Sequence, residues 1–448
     1  MPTAAARLAE FAAGLRFDDI PELDRLRARQ CLIDTVGVSL LGASLPWGRM
    51  LSAYAHRYGG AATSSLIGES RKVSAPMAAL ANGLFAHGFE LDSLRKPGAG
   101  VHPGAALVPP ALALGEELAL DGKRLLTALV AGCEVMFRIG LASKHSSEEL
   151  GFHAPGLTGP FGAAIAAGHL LQLDSTQMRH ALGIAGSLCA GVLAFSQSGN
   201  GSMVKRLHLG RAAEAGILAA RLAQDGFEGP DSVLDGKFGF LDIYCAESDP
   251  ALLTRGLGID FETRNLCLKR YPCHVTAHTP VQSVTTLRRE HDFSAPDVER
   301  VTVRISAKVL SHHSERDPAE TMAAQYSIPW CVAVALVGDV MDPEAYGERG
   351  LSDVDVRQWC RSIELESLAG GESTRSPWAS EVLVRLLDGR ELTLAADDFK
   401  GTPTLPLTGT ELREKFMRCA GSFAGASALF EQLDAIESLE DIRALRLG

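Results

Sequence analysis

Two stretches set the strongest limits on what this chain can fold into. Met77–Leu84 and Gly104–Leu120 consist almost wholly of small or apolar residues. A helix without a polar stripe is buried on several sides, so these two need other helices around them. The sequence supplies candidates. After Asp19-Ile20-Pro21, which reads as a cap with proline in the first turn, Leu26, Cys31, Val36 and Leu40 recur near helical spacing. Asp174 with Gln177 resembles a capping box opening a helix through Ile184. Lys205–Gln224 predicts a further helix, closed by Asp225-Gly226, where glycine supplies a left-handed cap. The opening MPTAAARLAEFAAGLRF is amphipathic, carries Glu10 and lacks a continuous apolar stretch, which predicts a docking helix rather than a signal peptide.

The pattern changes after about residue 265. Val301–Val309 alternates apolar with polar residues, as a half-buried strand does. Glu381–Leu387 and Glu391–Ala395 flank Asp388-Gly389, a strong hairpin signal, and Ile363–Leu368 predicts another strand. Helices are expected around Glu320–Leu336 and Val354–Arg361, and Leu407–Leu447 returns to helical patterning. The expected fold is mainly α: a helical domain over 1–265, a smaller α+β domain over 266–399, and a helical segment over 400–448 that rejoins the first. A chain of 448 residues exceeds one simple core, which agrees with that division.

Composition narrows the function. A net charge of −11 without a basic run argues against a nucleic-acid surface, and an acidic protein that handles anions must gather positive charge locally. The nine cysteines, at 31, 133, 189, 245, 267, 273, 331, 360 and 419, contain no Cys-x-x-Cys. That spacing suggests no disulfide framework, zinc knuckle or iron–sulfur cluster. The run near Ile328–Gly338 is far short of the roughly 20 residues that span a bilayer. A cytoplasmic protein with no membrane partner is expected.

Four segments concentrate ionisable residues among small ones. The first runs from His87 through Glu90 and Asp92 to Arg95-Lys96-Pro97 and on to His102. His87 and Glu90 would share a face on a helix. A metal set of His87, Glu90 and His102 is conceivable, but no fuller ligand motif supports it, and an interface helix of mutually satisfied polar groups is favoured for His87. The second, Gly151-Phe152-His153, precedes an apolar helix whose N-terminus offers free amides and a positive dipole. The third is a glycine–serine loop, Ser198–Gly201, leading into Lys205, Arg206 and His208. Cations in a first helical turn oppose the dipole, and breaking that preference often marks an anion site. The fourth, Lys269-Arg270-Tyr271-Pro272-Cys273-His274, stands where the helical pattern gives way, a common place for ligand sites. A Cys273–His274 nucleophile pair is disfavoured, since adjacent residues of an extended segment point to opposite faces.

In this order the segments resemble the MmgE/PrpD family, which includes 2-methylcitrate dehydratases, cis-aconitate decarboxylases and iminodisuccinate epimerases. The resemblance runs from Cys31-Leu-Ile-Asp-Thr-Val-Gly to Lys415-Phe416, and its most specific pieces are His102-Pro-Gly, Gly151-Phe-His, Met203-Val-Lys-Arg-Leu-His-Leu-Gly and Lys269-Arg-Tyr-Pro-Cys-His. It implies a homodimer with an active site in a cleft between an all-helical domain and an α+β lid, without metal or organic cofactor. It assigns His102, His153, Lys205, Lys269 and His274 to that site, with the family's acidic position on Glu90 or Asp92. The family's usual Asp-Phe-Asp-Asp-Thr-His is Glu90-Leu-Asp-Ser-Leu-Arg here, a departure that leaves the acid substrate open. Arg95 and Lys96, Arg206 and His208, Arg270, and His313 beside His312 and Arg316 are further candidate carboxylate contacts.

The expected chemistry is a cofactor-independent reaction of a small di- or tricarboxylic acid, with His102 and His153 as base and acid and the cations holding carboxylates. Dehydration is favoured. Epimerisation, decarboxylation and a catalytically inactive carboxylate-binding relative are the alternatives.

Overall fold

The computed structural model describes residues 2–196, 202–368 and 376–448, so Ser198–Gly201 lies outside the described residues. With 58% helix and 8% strand, the fold is mainly α. The chain forms two compact units. Met1–Gly88, Asp92–Leu268 and Thr408–Gly448 make the first; Phe89–Leu91 and Lys269–Leu407 make the second.

In the first unit the helices along the chain are α1 (Ala4–Gly14), α2 (Glu22–Ser44), α3 (Pro46–Tyr58), α4 (Ala75–Ala86) and α5 (Pro103–Glu117). They are followed by α6 (Gly122–Ala142), α7 (Ala154–Leu170), α8 (Ser175–Gly186), α9 (Val204–Gln224) and α10 (Phe240–Tyr244). Two short antiparallel ladders accompany them: β1 (Ser64–Ser65) with β2 (Lys72–Val73), and β3 (Leu94–Arg95) with β4 (Leu266–Cys267). The capping box at Asp174 and Gln177 opens α8, and Gly226 after α9 is left-handed at φ 90°.

Apolar α5 is buried from Pro103 to Glu116, and α7 packs against α5, α6 and α9. The apolar stretch Met77–Leu84 lies in α4, which crosses α9 backbone to backbone. A Cβ on Gly83 would stand 2.8 Å from Gly210 Cα, and one on Gly210 would stand 2.4 Å from the Leu80 carbonyl. Only two glycines permit this approach, and it brings the end of α4 to the start of α9. By length and composition α6 could cross a membrane, which the shorter run at Ile328–Gly338 did not suggest; here it is almost wholly buried, as the core helix of a packed unit is.

The second unit contains α11 (His278–His291), β5 (Val298–Ile305), α12 (Ala307–His312), α13 (Thr321–Tyr326) and α14 (Ile328–Val337). Then come α15 (Glu348–Leu351), α16 (Val354–Ser362), β6 (Glu364–Ser367), β7 (Ser380–Leu386) and β8 (Glu391–Ala396). The sheet order is β6-β5-β7-β8, parallel only between β5 and β6. Asp388-Gly389 closes the β7–β8 hairpin, with Gly389 at φ 91°. Two expectations need correction. The strand expected to reach Val309 ends at Ile305, because Ser306 caps α12 by accepting from Val309 N. The helix expected over Glu320–Leu336 breaks at Ser327, whose hydroxyl accepts from Trp330 N while Pro329 takes the first turn of α14.

The C-terminal helices α17 (Gly409–Ala420) and α18 (Ala426–Asp434) return to the first unit, where buried Lys415 of α17 pairs with buried Asp34 of α2.

Candidate active site

Three helices of the first unit begin at candidate residues. His102 is the N-cap of α5, His153 is the N-cap of α7, and Lys205 lies in the first turn of α9. Each N-terminus is the positive end of a helix dipole, which suits a carboxylate or a developing negative charge.

Around these starts the imidazoles form a continuous cluster. His87 caps the C-terminus of α4 and is 2% exposed. Its ring centroid is 4.9 Å from that of His102 and 5.9 Å from that of His153, and His153 in turn lies 5.1 Å from His208. The Nδ1 atoms of His153 and His208 are 3.0 Å apart, so one ring donates and the other accepts. Asp92, fully buried, anchors the other end. Its Oδ2 accepts from His87 Nδ1 at 2.8 Å, and His102 Nδ1 stands 2.8 Å from the same oxygen but outside hydrogen-bond alignment. Oδ1 of Asp92 and Nε2 of His87 have no hydrogen-bond partner among the described residues.

Electrostatics follow from burial. Burial alone would raise the Asp92 carboxyl, but the imidazoles of His102 and His87 outweigh it and hold the group well below the usual carboxylate range. Burial pushes His87 down to about 3 against the pull of Asp92. His153 is held well below its ordinary value by burial and then by His87, His208 and His102. His208 is lowered by burial and by the charge of Lys205, which also acts on His87. The cluster therefore holds a carboxylate, two neutral buried imidazoles and a buried lysine.

The sequence-based picture of this segment changes in two ways. His87 and Glu90 share no helix face, because α4 ends at Ala86 and Glu90 is left-handed at φ 54°. The atoms that could grip a cation belong to His87, Asp92 and His102, all within 4.8 Å, and not to Glu90. Separations of 2.8 Å are also hydrogen-bond lengths, and His87 Nδ1 makes such a bond to the carboxylate.

Two candidates in this unit are committed elsewhere. Arg95 is buried; its Nη2 is 2.6 Å from Glu262 Oε2, and its Nη1 donates to the Pro97 carbonyl. Its guanidinium is thus engaged within this unit rather than solvated. Arg206 lies over Trp47 with its guanidinium 3.9 Å from the ring centre and donates to the Gly88 and Ser202 carbonyls, so it clamps the end of α4. Lys96 is half-buried, and its backbone N–H donates to the Asn265 carbonyl. Ser93, where the family pattern has an acid, accepts from Gly104 N at 2.9 Å and so caps α5.

The second unit holds its own cluster. Lys269 Nζ donates to Glu90 Oε2 at 2.7 Å with both side chains buried, and the Tyr326 hydroxyl donates to Glu90 Oε1 at 3.4 Å. His274 stacks on His313 at 4.5 Å between ring centres and lies 4.6 Å from Tyr326. His313 is pushed down to about 4 by burial and donates from Nδ1 to the Tyr326 carbonyl. His312 and Arg316 are exposed and bonded to backbone carbonyls, Arg270 is half-buried, and Cys273 is fully buried.

Sequence reasoning missed Tyr326 and undervalued His87. Tyr326 has no local signature; His87 had one, an acid five residues on in a glycine-bounded segment.

A family model described as the MmgE/PrpD N-terminal domain matches residues 6–253, and one described as the MmgE/PrpD C-terminal domain matches residues 271–441. The chain is 27% identical to cis-aconitate decarboxylase of Homo sapiens, over 96% of this chain and 90% of that protein. It is 27% identical to cis-aconitate decarboxylase of Aspergillus terreus, over 97% and 93% of the two chains. It is 28% identical to a cis-aconitate decarboxylase-like protein of Aspergillus oryzae, over 97% and 94%.

Proposed function

Because the chain belongs to the MmgE/PrpD family, we propose that it is a lyase acting by general acid–base chemistry on a small di- or tricarboxylic acid. The observation that carries this reading is the imidazole cluster at three helix N-termini, with buried Lys205 beside it.

Two of the relatives named above are cis-aconitate decarboxylases, which favours loss of carbon dioxide from a cis-aconitate-like acid. In that reaction the bond to a carboxylate carbon breaks, carbon dioxide leaves, and the electron pair stays on the neighbouring carbon as a carbanion-like centre. The Lys205 charge and the helix N-termini stabilise that negative charge, and the His102 imidazole delivers the proton that quenches it. His153, neutral by burial, suits the accepting role, and His102, its Nδ1 beside the Asp92 carboxylate, is its proposed partner in proton transfer. Dehydration of a hydroxy acid is the second reading. It is favoured by the two separate histidines, one to remove a proton and one to protonate the departing hydroxyl. Lys269, His274 and Glu90 are proposed, on the family resemblance, as further carboxylate-handling residues.

The test is turnover of a panel of di- and tricarboxylates by His102→Gln and His153→Gln. Each substitution is expected to lower turnover by about 10²-fold or more. Wild-type turnover in both variants would contradict the assignment.

A further inference from the structure

His87 does not reach solvent, and the chemistry above gives it no step. Its position nevertheless bears on the carboxylate beside His102. The two Nδ1 atoms converge on one oxygen of Asp92, each at 2.8 Å, and only the His87 contact is aligned as a hydrogen bond. Asp92 is ionised, so it can only accept; it accepts from His87, while His102 Nδ1 stands at the same distance without an aligned bond. His102 is the more accessible of the two, its side chain 16% exposed against 0% for His87.

We propose that His87 is a positioning residue that shares the Asp92 carboxylate with His102 and thereby sets how strongly that carboxylate holds a proton on His102. By taking the aligned acceptor direction on Oδ2, the His87 N–H draws off part of the carboxylate's charge and keeps His102 from a direct hydrogen bond. Other groups act on the same pair from each neighbouring element. Asp34 of α2 faces Asp92 and is itself paired with Lys415 of α17. His153 comes from the start of α7, and Lys205 and His208 come from α9. All of these stay in place when His87 alone is changed, so its share can be isolated.

The proposal rests on His102 as a proton-transfer group, but its test needs no substrate. His102 is titrated by NMR in protein labelled at histidine ring carbons, its signal assigned by its absence in His102→Gln. His87→Phe keeps a ring of similar size and removes the donor; the freed carboxylate then binds the His102 imidazolium alone, and the titration midpoint rises by about one pH unit. Asp92→Asn moves it down by a similar amount. His87→Gln can return an N–H to Oδ2 and is expected within about 0.3 unit of wild type. A His87→Phe midpoint that is unmoved or lowered overturns the proposal. Should that variant fail to fold, the other two decide: a His87→Gln midpoint far from wild type, or an unmoved Asp92→Asn midpoint, overturns it. If the midpoints move as described but His102→Gln turns over normally, the proposed role of His102 in the reaction fails and the shared carboxylate stands.

Discussion

Replacing Glu134 by alanine is expected to loosen the segment that carries His102, although Glu134 lies on α6 and belongs to no candidate site. Its fully buried carboxylate accepts from Glu262 N at 3.0 Å, Thr263 N at 2.8 Å, Thr263 Oγ1 at 2.7 Å and the Arg138 guanidinium. Burial raises the carboxyl despite these donors. Truncation leaves Arg138, 1% exposed, without its counter-charge, and removing one partner of a buried pair costs about 3–5 kcal/mol. The disturbance has a defined path. Glu262 holds Arg95, Arg95 pairs with Leu266 across β3 and β4, and the chain from Arg95 runs through six residues to His102. Hydrogen exchange resolved by peptide is the assay, because it locates the loosening along this path. Exchange should rise in peptides covering 94–102 and 260–267, with a loss of protection of about 3 kcal/mol or more. The double substitution Glu134→Leu with Arg138→Leu removes both charges and should recover much of the loss. A Glu134→Ala protein with unchanged exchange in both peptides would refute the reasoning.

Arg206→Lys is expected to cost about 1–2 kcal/mol, because an ammonium cannot both lie flat on Trp47 and reach two carbonyls; a melt indistinguishable from wild type would contradict that role. Acid should destabilise the protein between pH 6.5 and 3. His87, held at about 3, and His313, held at about 4, stay neutral in the folded chain, while their unfolded counterparts take up protons below about 6.5. The unfolded state therefore binds more protons in that window, and stability falls as pH falls. Asp34, raised to about 6, works the other way between 6 and 3.8 and offsets part of the loss. His313→Phe should flatten the melting-temperature profile between pH 6.5 and 4, by at most about 3 kcal/mol; an unchanged slope would contradict the burial argument.

The parts of the fold legible in the sequence are those set by local chemistry. Unbroken apolar stretches marked α4 and α5, Asp174 with Gln177 marked the start of α8, and Asp388-Gly389 marked the β7–β8 hairpin. What stayed hidden depends on partners distant in sequence or on a single backbone angle. Arg95 looked available because Glu262 stands 167 residues away. Glu90 looked helical because nothing in its neighbours announces a left-handed residue. Ser93 looked like a lost acid, and its purpose as the cap of α5 shows only in contact with Gly104 N. In the first unit, His102, His153, Lys205 and His208 were legible as candidates because histidines and lysines at glycine-bounded helix starts break local preference. Their convergence was not, since it depends on the close crossing of α4 and α9 at Gly83 and Gly210.

The central claim, proton transfer by His102 and His153 to and from a carboxylic acid, is tested most directly in deuterated water. The purified protein is incubated with di- and tricarboxylates, and substrate and product are weighed by mass spectrometry. Deuterium should enter at the carbon beside a carboxylate, with the product lighter by carbon dioxide or by water, and both signals should fall by about 10²-fold in His102→Gln and His153→Gln. No incorporation with any acid of the panel, or equal incorporation in both variants, would contradict it.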